Sequence, residues 1–124
     1  NLQREVTARR QEWVEMSEEQ ILEDFIPVYD NFKKAFAHQP ASEDKHVKNW
    51  MAGIGHIMRQ FQEAVKAHKV SEIKTVGEKF DPKLHETVSE EEGEKGHGTI
   101  LKEVEGGYTM GDRVIKVAKV VINK

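Results

Sequence analysis

The apolar residues between Val47 and Val65 constrain the fold of this chain more than any other feature. They recur at steps of three and four, which predicts an amphipathic helix with an apolar seam of nearly three heptads. The seam consists of Val47, Trp50, Met51, Ile54, Ile57, Met58, Phe61 and Val65. Such a helix has to bury its seam against another element, so the sequence predicts helix packing in this half of the chain.

A longer amphipathic helix is predicted upstream. Its apolar residues fall mostly at steps of three, four or seven, and they are Val6, Trp13, Met16, Leu22, Phe25, Tyr29, Phe32 and Phe36. Pro27 lies inside this pattern and removes one backbone hydrogen bond, so we expect the helix to bend there. The segment 38–44 contains Pro40, Ser42 and Asp44 and predicts a turn that also offers caps for the next helix.

Two amphipathic helices joined by a short turn form a hairpin, and a hairpin alone cannot enclose a core around both apolar stripes. The simplest closure is a symmetric dimer in which two hairpins form a four-helix bundle. The sequence therefore predicts a homodimer. The residues predicted at its interface are Trp13, Phe25, Phe32, Val47, Trp50, Ile54, Ile57 and Phe61.

The apolar period changes after Val70, where short β-type runs alternate with turn signals. The predicted strands are 70–76, 84–88, 99–104 and 114–122, and the segment 89–98 is predicted to be an exposed acidic, glycine-rich loop. The fold class is therefore α+β. We expect two domains: residues 1–69 form the long helix and the dimerising hairpin, and residues 70–124 form a small all-β module.

Composition excludes several classes of function. The chain has 124 residues with 19 basic and 22 acidic side chains, a formal net charge of −3, so its overall field favours neither nucleic acid nor an anionic membrane as a partner. It has no cysteine, which excludes disulfides and thiolate chemistry and fits a reducing compartment. No apolar run approaches the roughly 20 residues that span a bilayer. Because the chain starts without methionine inside a charged helical pattern, we expect it to be the C-terminal part of a longer protein.

The segment 77–88 carries residue types that could perform chemistry. Asp81, His85 and Glu86 together suggest a metal site or an acid/base pair. No further ligand lies at a useful spacing, so the favoured interpretation is a tight turn in which Asp81 bonds backbone groups, Pro82 presets φ and Phe80 anchors the turn in the core. Neither a metal nor another cofactor is predicted. The glycine-rich segment 93–98 is interpreted as a surface loop, because it neither follows an apolar strand nor opens a helix.

Arg113 and Lys116 are flanked by apolar residues in the last predicted strand. These two cations fit a basic edge that faces a partner, and they fit an ordinary solvated strand face equally well. The residue chemistry leaves both interpretations open.

Several distinctive motifs follow one another in order along the chain. The first motifs are Asn1-Leu2-Gln3-Arg4 and the run from Phe25 to Phe32, Phe-Ile-Pro-Val-Tyr-Asp-Asn-Phe. The later ones are Gly53-Ile54, Phe80-Asp81-Pro82 with His85-Glu86, Gly107-Tyr108, and Asp112-Arg113-Val114-Ile115. Together these motifs resemble the GrpE family of nucleotide exchange factors for DnaK-type chaperones of the heat-shock-70 class, and the resemblance covers the whole chain.

This resemblance implies a homodimer whose β modules reach the nucleotide-binding domain of the chaperone, open its cleft and release ADP. It implies no enzymatic step, and it places the protein in the bacterial cytoplasm or in an organelle matrix. The positions that it implies face the chaperone are Arg4, Lys34, Gly53, Phe80, Pro82, Val104, Arg113 and Ile122. A coiled-coil adaptor for another protein is the alternative, and a hydrolase that uses His85 with a nearby carboxylate is a third interpretation.

The chain also departs from the family at four positions. Lys69 stands where the family usually has glycine after the second helix, so we expect the left-handed helix end to be absent or strained. Val117 stands where many members have proline. Glu12 and Ala37 lack the basic and the acidic side chain that some members use as contacts.

Overall fold

The computed structural model describes residues 1–124 and contains two helices followed by six strands, which confirms the α+β class. The elements are α1 (Leu2–Ala37), α2 (Lys45–Ala67), β1 (Val70–Glu72), β2 (His85–Glu91), β3 (Ile100–Glu105), β4 (Tyr108–Met110), β5 (Arg113–Lys116) and β6 (Ala118–Asn123). They form two compact units, a helical unit of Asn1–Ala64 and a β unit of Val65–Lys124. The last turn of α2 thus belongs to the β unit, whereas the sequence predicted a boundary after residue 69.

Capping side chains fix where both helices begin. The Asn1 side chain accepts a hydrogen bond from the Gln3 backbone N–H at the start of α1, at 3.0 Å. Asp44 does the same for the His46 N–H at the start of α2, at 2.8 Å, as the sequence predicted. Helix α1 continues for 36 residues through Pro27. A bend at this proline stays a prediction.

In the helical unit, the buried part of α1 centres on Leu22, Ile26 and Tyr29. The Tyr29 ring stacks on the ring of Phe61 from α2, with centroids 5.2 Å apart and planes 8° apart. A Cβ on Gly55 would lie 3.3 Å from the Phe36 ring, so the absence of a side chain at Gly55 lets the two helices approach closely. The two helices of the hairpin therefore pack against each other along one face of each helix.

The β unit contains two three-stranded sheets. Strands β1, β4 and β5 form an antiparallel sheet in that order. In the second sheet β6 is central, pairs parallel with β2 and pairs antiparallel with β3. The core residues are Ile73, Ile100, Ala118, Val120 and Ile122, with Phe80 and Leu84 packed against them. Three of the five come from β6, so the central strand supplies most of this core.

Two of the predicted strands were wrong in extent. The first predicted strand, 70–76, is paired as a strand only over Val70–Glu72. Beyond it the chain runs beside β3, where the Gly77 N–H donates to the Ile100 carbonyl at 3.0 Å. The last predicted strand, 114–122, is two strands in different sheets, because the chain passes from one sheet to the other at Val117.

Two further strand assignments differ from the prediction. The predicted loop 89–98 begins later, because Ser89, Glu90 and Glu91 pair with β6 and extend β2. Strand β4 was missed altogether, since its three residues lie between two glycine-containing turns and are too few to show a period. In both cases a neighbouring strand from another part of the chain supplies the pairing.

The junction between α2 and β1 adopts the left-handed conformation without glycine. Lys69 has φ of 65° and is the one non-glycine residue with positive φ. This conformation costs a residue with a Cβ roughly 1–2 kcal/mol. Of the two predicted possibilities, an absent or a strained helix end, the structure therefore has the strained one.

Candidate partner-binding surfaces

The turn that opens the β2 segment is closed by hydrogen bonds to the backbone. Asp81 accepts the Lys83 N–H with its carboxylate at 2.9 Å and the His85 N–H with its carbonyl at 2.8 Å. The Asp81 N–H in turn donates to Nδ1 of His85 at 3.0 Å. Because Nδ1 accepts this bond, the imidazole proton lies on Nε2, which donates to the Lys74 carbonyl at 2.9 Å.

His85 is therefore a buried cross-link between two backbone segments. Both ring nitrogens are used, the residue is only 4% exposed, and its ring lies 6.0 Å from the Phe80 ring. Neither nitrogen has a free position for a substrate proton or a metal. The geometry gives His85 a structural role and leaves Pro82 exposed on the outside of the turn.

We expect His85→Ala to lower the free energy of unfolding of the β unit by about 2 kcal/mol, since it removes two part-buried hydrogen bonds worth about 1 kcal/mol each. Urea unfolding followed by amide signals of β6 measures this change. His97→Ala, an exposed histidine of the same unit, is the matched control and should change stability by less than about 0.5 kcal/mol. Equal stability of the two variants would contradict the cross-link.

The other candidate contacts of the β unit differ in their solvent exposure. Val104 is 42% exposed on β3, and Arg113 is exposed at the start of β5. Phe80 is half-buried against the core. Ile122 is a buried core residue, so the structure gives its side chain a packing role.

Arg113 lies beside the tip of the β4–β5 hairpin. Met110 pairs with Arg113 across a two-residue turn in which Gly111 takes the first central position with φ of 60°, as a type II′ turn requires. Lys116, the second cation of the predicted basic edge, lies 3.5 Å from the Glu105 carboxylate. Lys116 is therefore held by a carboxylate of its own chain, and Arg113 also interacts within the chain.

The candidate contacts in the helical unit are Arg4, Lys34 and Gly53. Arg4 is exposed in the first turn of α1. Lys34 is half-buried, and its ammonium lies 3.3 Å from the buried Asp30 carboxylate. Gly53 is exposed, and a Cβ there would meet nothing within 4 Å, so helix packing within the chain does not explain this glycine.

A stripe of exposed apolar side chains runs along the hairpin, and we call it the open stripe. Its members are Ile21, Phe25, Val28 and Phe32 on α1 and Val47, Trp50 and Ile57 on α2. Large apolar residues that are exposed on one face of a helix are typical of an interaction surface. Ile54 and Phe61, also predicted at the dimer interface, are half-buried, and Phe61 stacks on Tyr29 of its own chain.

Trp13 stands apart from the open stripe although it is 71% exposed. It precedes Phe25 by 12 residues, which at 3.6 residues per turn places the two side chains roughly 120° apart around a straight helix. Phe25 and Phe32, seven residues apart, lie on nearly the same face. A role for Trp13 in the same interface stays a prediction.

Sequence patterns missed several residues that set this geometry. No sequence pattern marks Asp30, although this residue is only 2% exposed and its carboxylate forms an ion pair with Lys34. The close-approach role of Gly55 was also missed, because Gly53 and Gly55 give the same signal in sequence.

No group of three or more histidine or acidic side chains is arranged to hold a metal ion. Neither helix combines the length and the apolar character that crossing a bilayer requires.

Comparison with known proteins assigns the chain to a family. The family model described as GrpE matches residues 1–124, the entire chain. The chain belongs to the GrpE family. The resemblance found in the sequence motifs is thereby confirmed.

Individual GrpE proteins also align with the chain over its whole length. The chain is 39% identical over 127 residues to Protein GrpE of Chlamydia abortus, 37% over 125 residues to that of Chlamydia pneumoniae, and 31% over 126 residues to that of Zymomonas mobilis. Each alignment covers 100% of this chain and 65% to 67% of the relative. This GrpE-family chain thus spans about two thirds of the length of the curated relatives that it matches.

Proposed function

We propose that this chain is an adenine-nucleotide exchange factor, a co-chaperone that binds the nucleotide-binding domain of a DnaK-type chaperone, opens its cleft and promotes ADP release. The observation that carries the proposal is the match of the whole chain to the GrpE family. The relatives named above are bacterial proteins, which supports a bacterial cytoplasmic location.

The proposed activity is a coupling between two binding events and requires no chemical step by this protein. A factor that prefers the open cleft weakens ADP binding by the same free energy with which ADP weakens binding of the factor. A tenfold loss of ADP affinity corresponds to about 1.4 kcal/mol.

Each unit contributes its own proposed contact surface. In the β unit, the exposed turn residue Pro82, the exposed Val104 and Arg113 at the hairpin tip are the proposed contacts, with Phe80 supporting the turn from inside. In the helical unit the proposed contacts are Arg4, Gly53 and Lys34. We assign no direct contact to Ile122, because its side chain is used in the core.

A symmetric homodimer is the proposed assembly, and the open stripe is its proposed interface. On α2, Ile54 lies between the half-buried positions Met51 and Met58 and the exposed positions Trp50 and Ile57. At about 100° per residue, those two sets lie roughly 100° apart around the helix. A helix in a four-helix bundle contacts two neighbours at about this angle. The second neighbour is then supplied by the other chain.

The exchange reaction tests the function and the contact assignment together. A fluorescent ADP analogue is bound to a DnaK-type chaperone, and its release is timed with and without this chain. We expect the wild-type chain to accelerate release, and Arg113→Ala to require about tenfold more protein for the same rate, as expected when an interface arginine that contributes about 1.4 kcal/mol is removed.

Lys95→Ala, which removes an exposed cation from the loop of the same unit, is the matched control and should act like the wild-type chain. An unchanged release rate with wild-type protein would contradict the proposed function and favour an adaptor for another partner. Acceleration that Arg113→Ala leaves unaltered would contradict the contact assignment alone.

A further inference from the structure

Lys69 holds a strained backbone conformation that three neighbouring contacts enforce. Its N–H donates to the Lys66 carbonyl at 2.9 Å, and its carbonyl accepts the Gly111 N–H at 3.1 Å. The next residue, Val70, is buried and pairs with Met110. These contacts fix the chain at φ of 65°, a conformation that glycine adopts without strain.

The Lys69 side chain does not stabilise the fold through contacts within the chain. It is exposed and makes neither a hydrogen bond nor an ion pair within the chain. A cation near a helix C-terminus is favourable, but Lys66 already occupies the last turn of α2. Local strain without internal compensation is typical of functional positions, where the side chain acts on another molecule.

The register of the first sheet places Lys69 near Arg113. Val70 pairs with Met110, and Met110 pairs with Arg113, so these three residues form one row across β1, β4 and β5. Neighbouring strands lie about 4.8 Å apart, which puts the two ends of this row roughly 10 Å apart. Lys69 directly precedes the row, at the end where the β4–β5 hairpin turns.

Charge at this end of the sheet is predominantly positive. Lys66, Lys69 and Arg113 are exposed there, and Asp112 lies in the turn directly before Arg113, which also interacts within the chain. Such a group of cations fits carboxylate side chains on a partner. Exposed charges of this kind act mainly on the association rate and on its salt dependence.

We propose that Lys69 is a second cationic contact, beside Arg113, for acidic side chains on the nucleotide-binding domain of the chaperone. This inference rests on the proposed exchange function and adds to it a residue that the sequence resemblance did not place at the chaperone contact. The lysine makes the helix end less stable and the partner surface more positive.

Association and dissociation rates of the chaperone's nucleotide-binding domain are measured for the wild-type chain, Lys69→Gly and Lys69→Arg, at about 0.05 M and 0.5 M salt. We expect Lys69→Gly to raise the midpoint of thermal unfolding of the β unit, because it removes the strain. It should nevertheless weaken binding about threefold to fivefold at low salt and flatten the salt dependence. Lys69→Arg keeps the charge and should bind like the wild-type chain.

A Lys69→Gly variant that is more stable and binds with unaltered affinity and salt dependence would overturn the inference and leave the exchange function standing. Loss of binding in Lys69→Arg equal to that in Lys69→Gly would also overturn it, because charge would then not be the cause. If the wild-type chain itself does not bind, the proposed function fails, and this inference fails with it.

Discussion

Gly107→Ala is expected to lower the free energy of unfolding of the β unit by about 3 kcal/mol or more, at the upper end of overpacking effects. A Cβ at this position would lie 2.8 Å from the Cβ of Ala118 and 2.9 Å from its Cα. Ala118 is fully buried, and its N–H donates to the Leu84 carbonyl at 3.0 Å. The added methyl group therefore pushes on backbone that is bonded on its other side.

The displacement would reach both sheets, because the Gly107 carbonyl accepts the Ile73 N–H at 2.9 Å and Ala118 begins the central strand β6. Urea unfolding followed by amide signals of the β unit measures the effect. Gly96→Ala is the matched control, since its Cβ would approach only the Thr99 hydroxyl, at 3.8 Å. A stability loss below about 0.5 kcal/mol for Gly107→Ala would show that β6 can move aside.

Phe25→Glu is expected to convert the proposed dimer into monomers. The side chain is 53% exposed on the open stripe, and in the dimer a glutamate there would be buried without a partner in each copy. Burying an unpaired charge costs several kcal/mol, and in a symmetric dimer this penalty applies once in each copy. Sedimentation equilibrium should show the mass falling from about twice 14.2 kDa to the mass of one chain.

The effect should be confined to assembly, because Phe25 does not lie in the buried face of α1. Helix content measured by circular dichroism at high protein concentration separates dissociation from unfolding. Val76→Glu places the same charge on an exposed apolar residue of the β unit and should leave the mass unaltered. A wild-type chain that sediments as a monomer, or a Phe25→Glu variant that remains a dimer, would each contradict the proposed interface.

The helices could be predicted from the sequence because their signals are local. Every seam residue from Val47 to Val65 lies within one helix, and Asp44 caps that helix through a neighbour two residues away. The strands were less predictable, since β2 gains Ser89 to Glu91 from pairing with the end of the chain. A pairing across more than thirty residues leaves no period in either segment.

The candidate contact residues were likewise only partly predictable from the sequence. Arg113 was singled out from its type and its place after a turn, and the structure exposes it there. Ile122 was singled out by resemblance, yet the structure buries it in the core of the β unit. Exposure depends on which side of a strand the sheet covers, and alternation alone does not settle this for β6, where four residues in a row are buried.

The sequence by itself determined two amphipathic helices, a following β unit and membership of the GrpE family, because periodicity and ordered motifs are properties of the chain. Only the tertiary structure decided that His85 is a cross-link and that Lys69 is strained. Only the structure decided that Gly55, and not Gly53, lies against a neighbouring helix. The physical reason is that each of these roles is set by distant backbone or side-chain atoms, which no local pattern records.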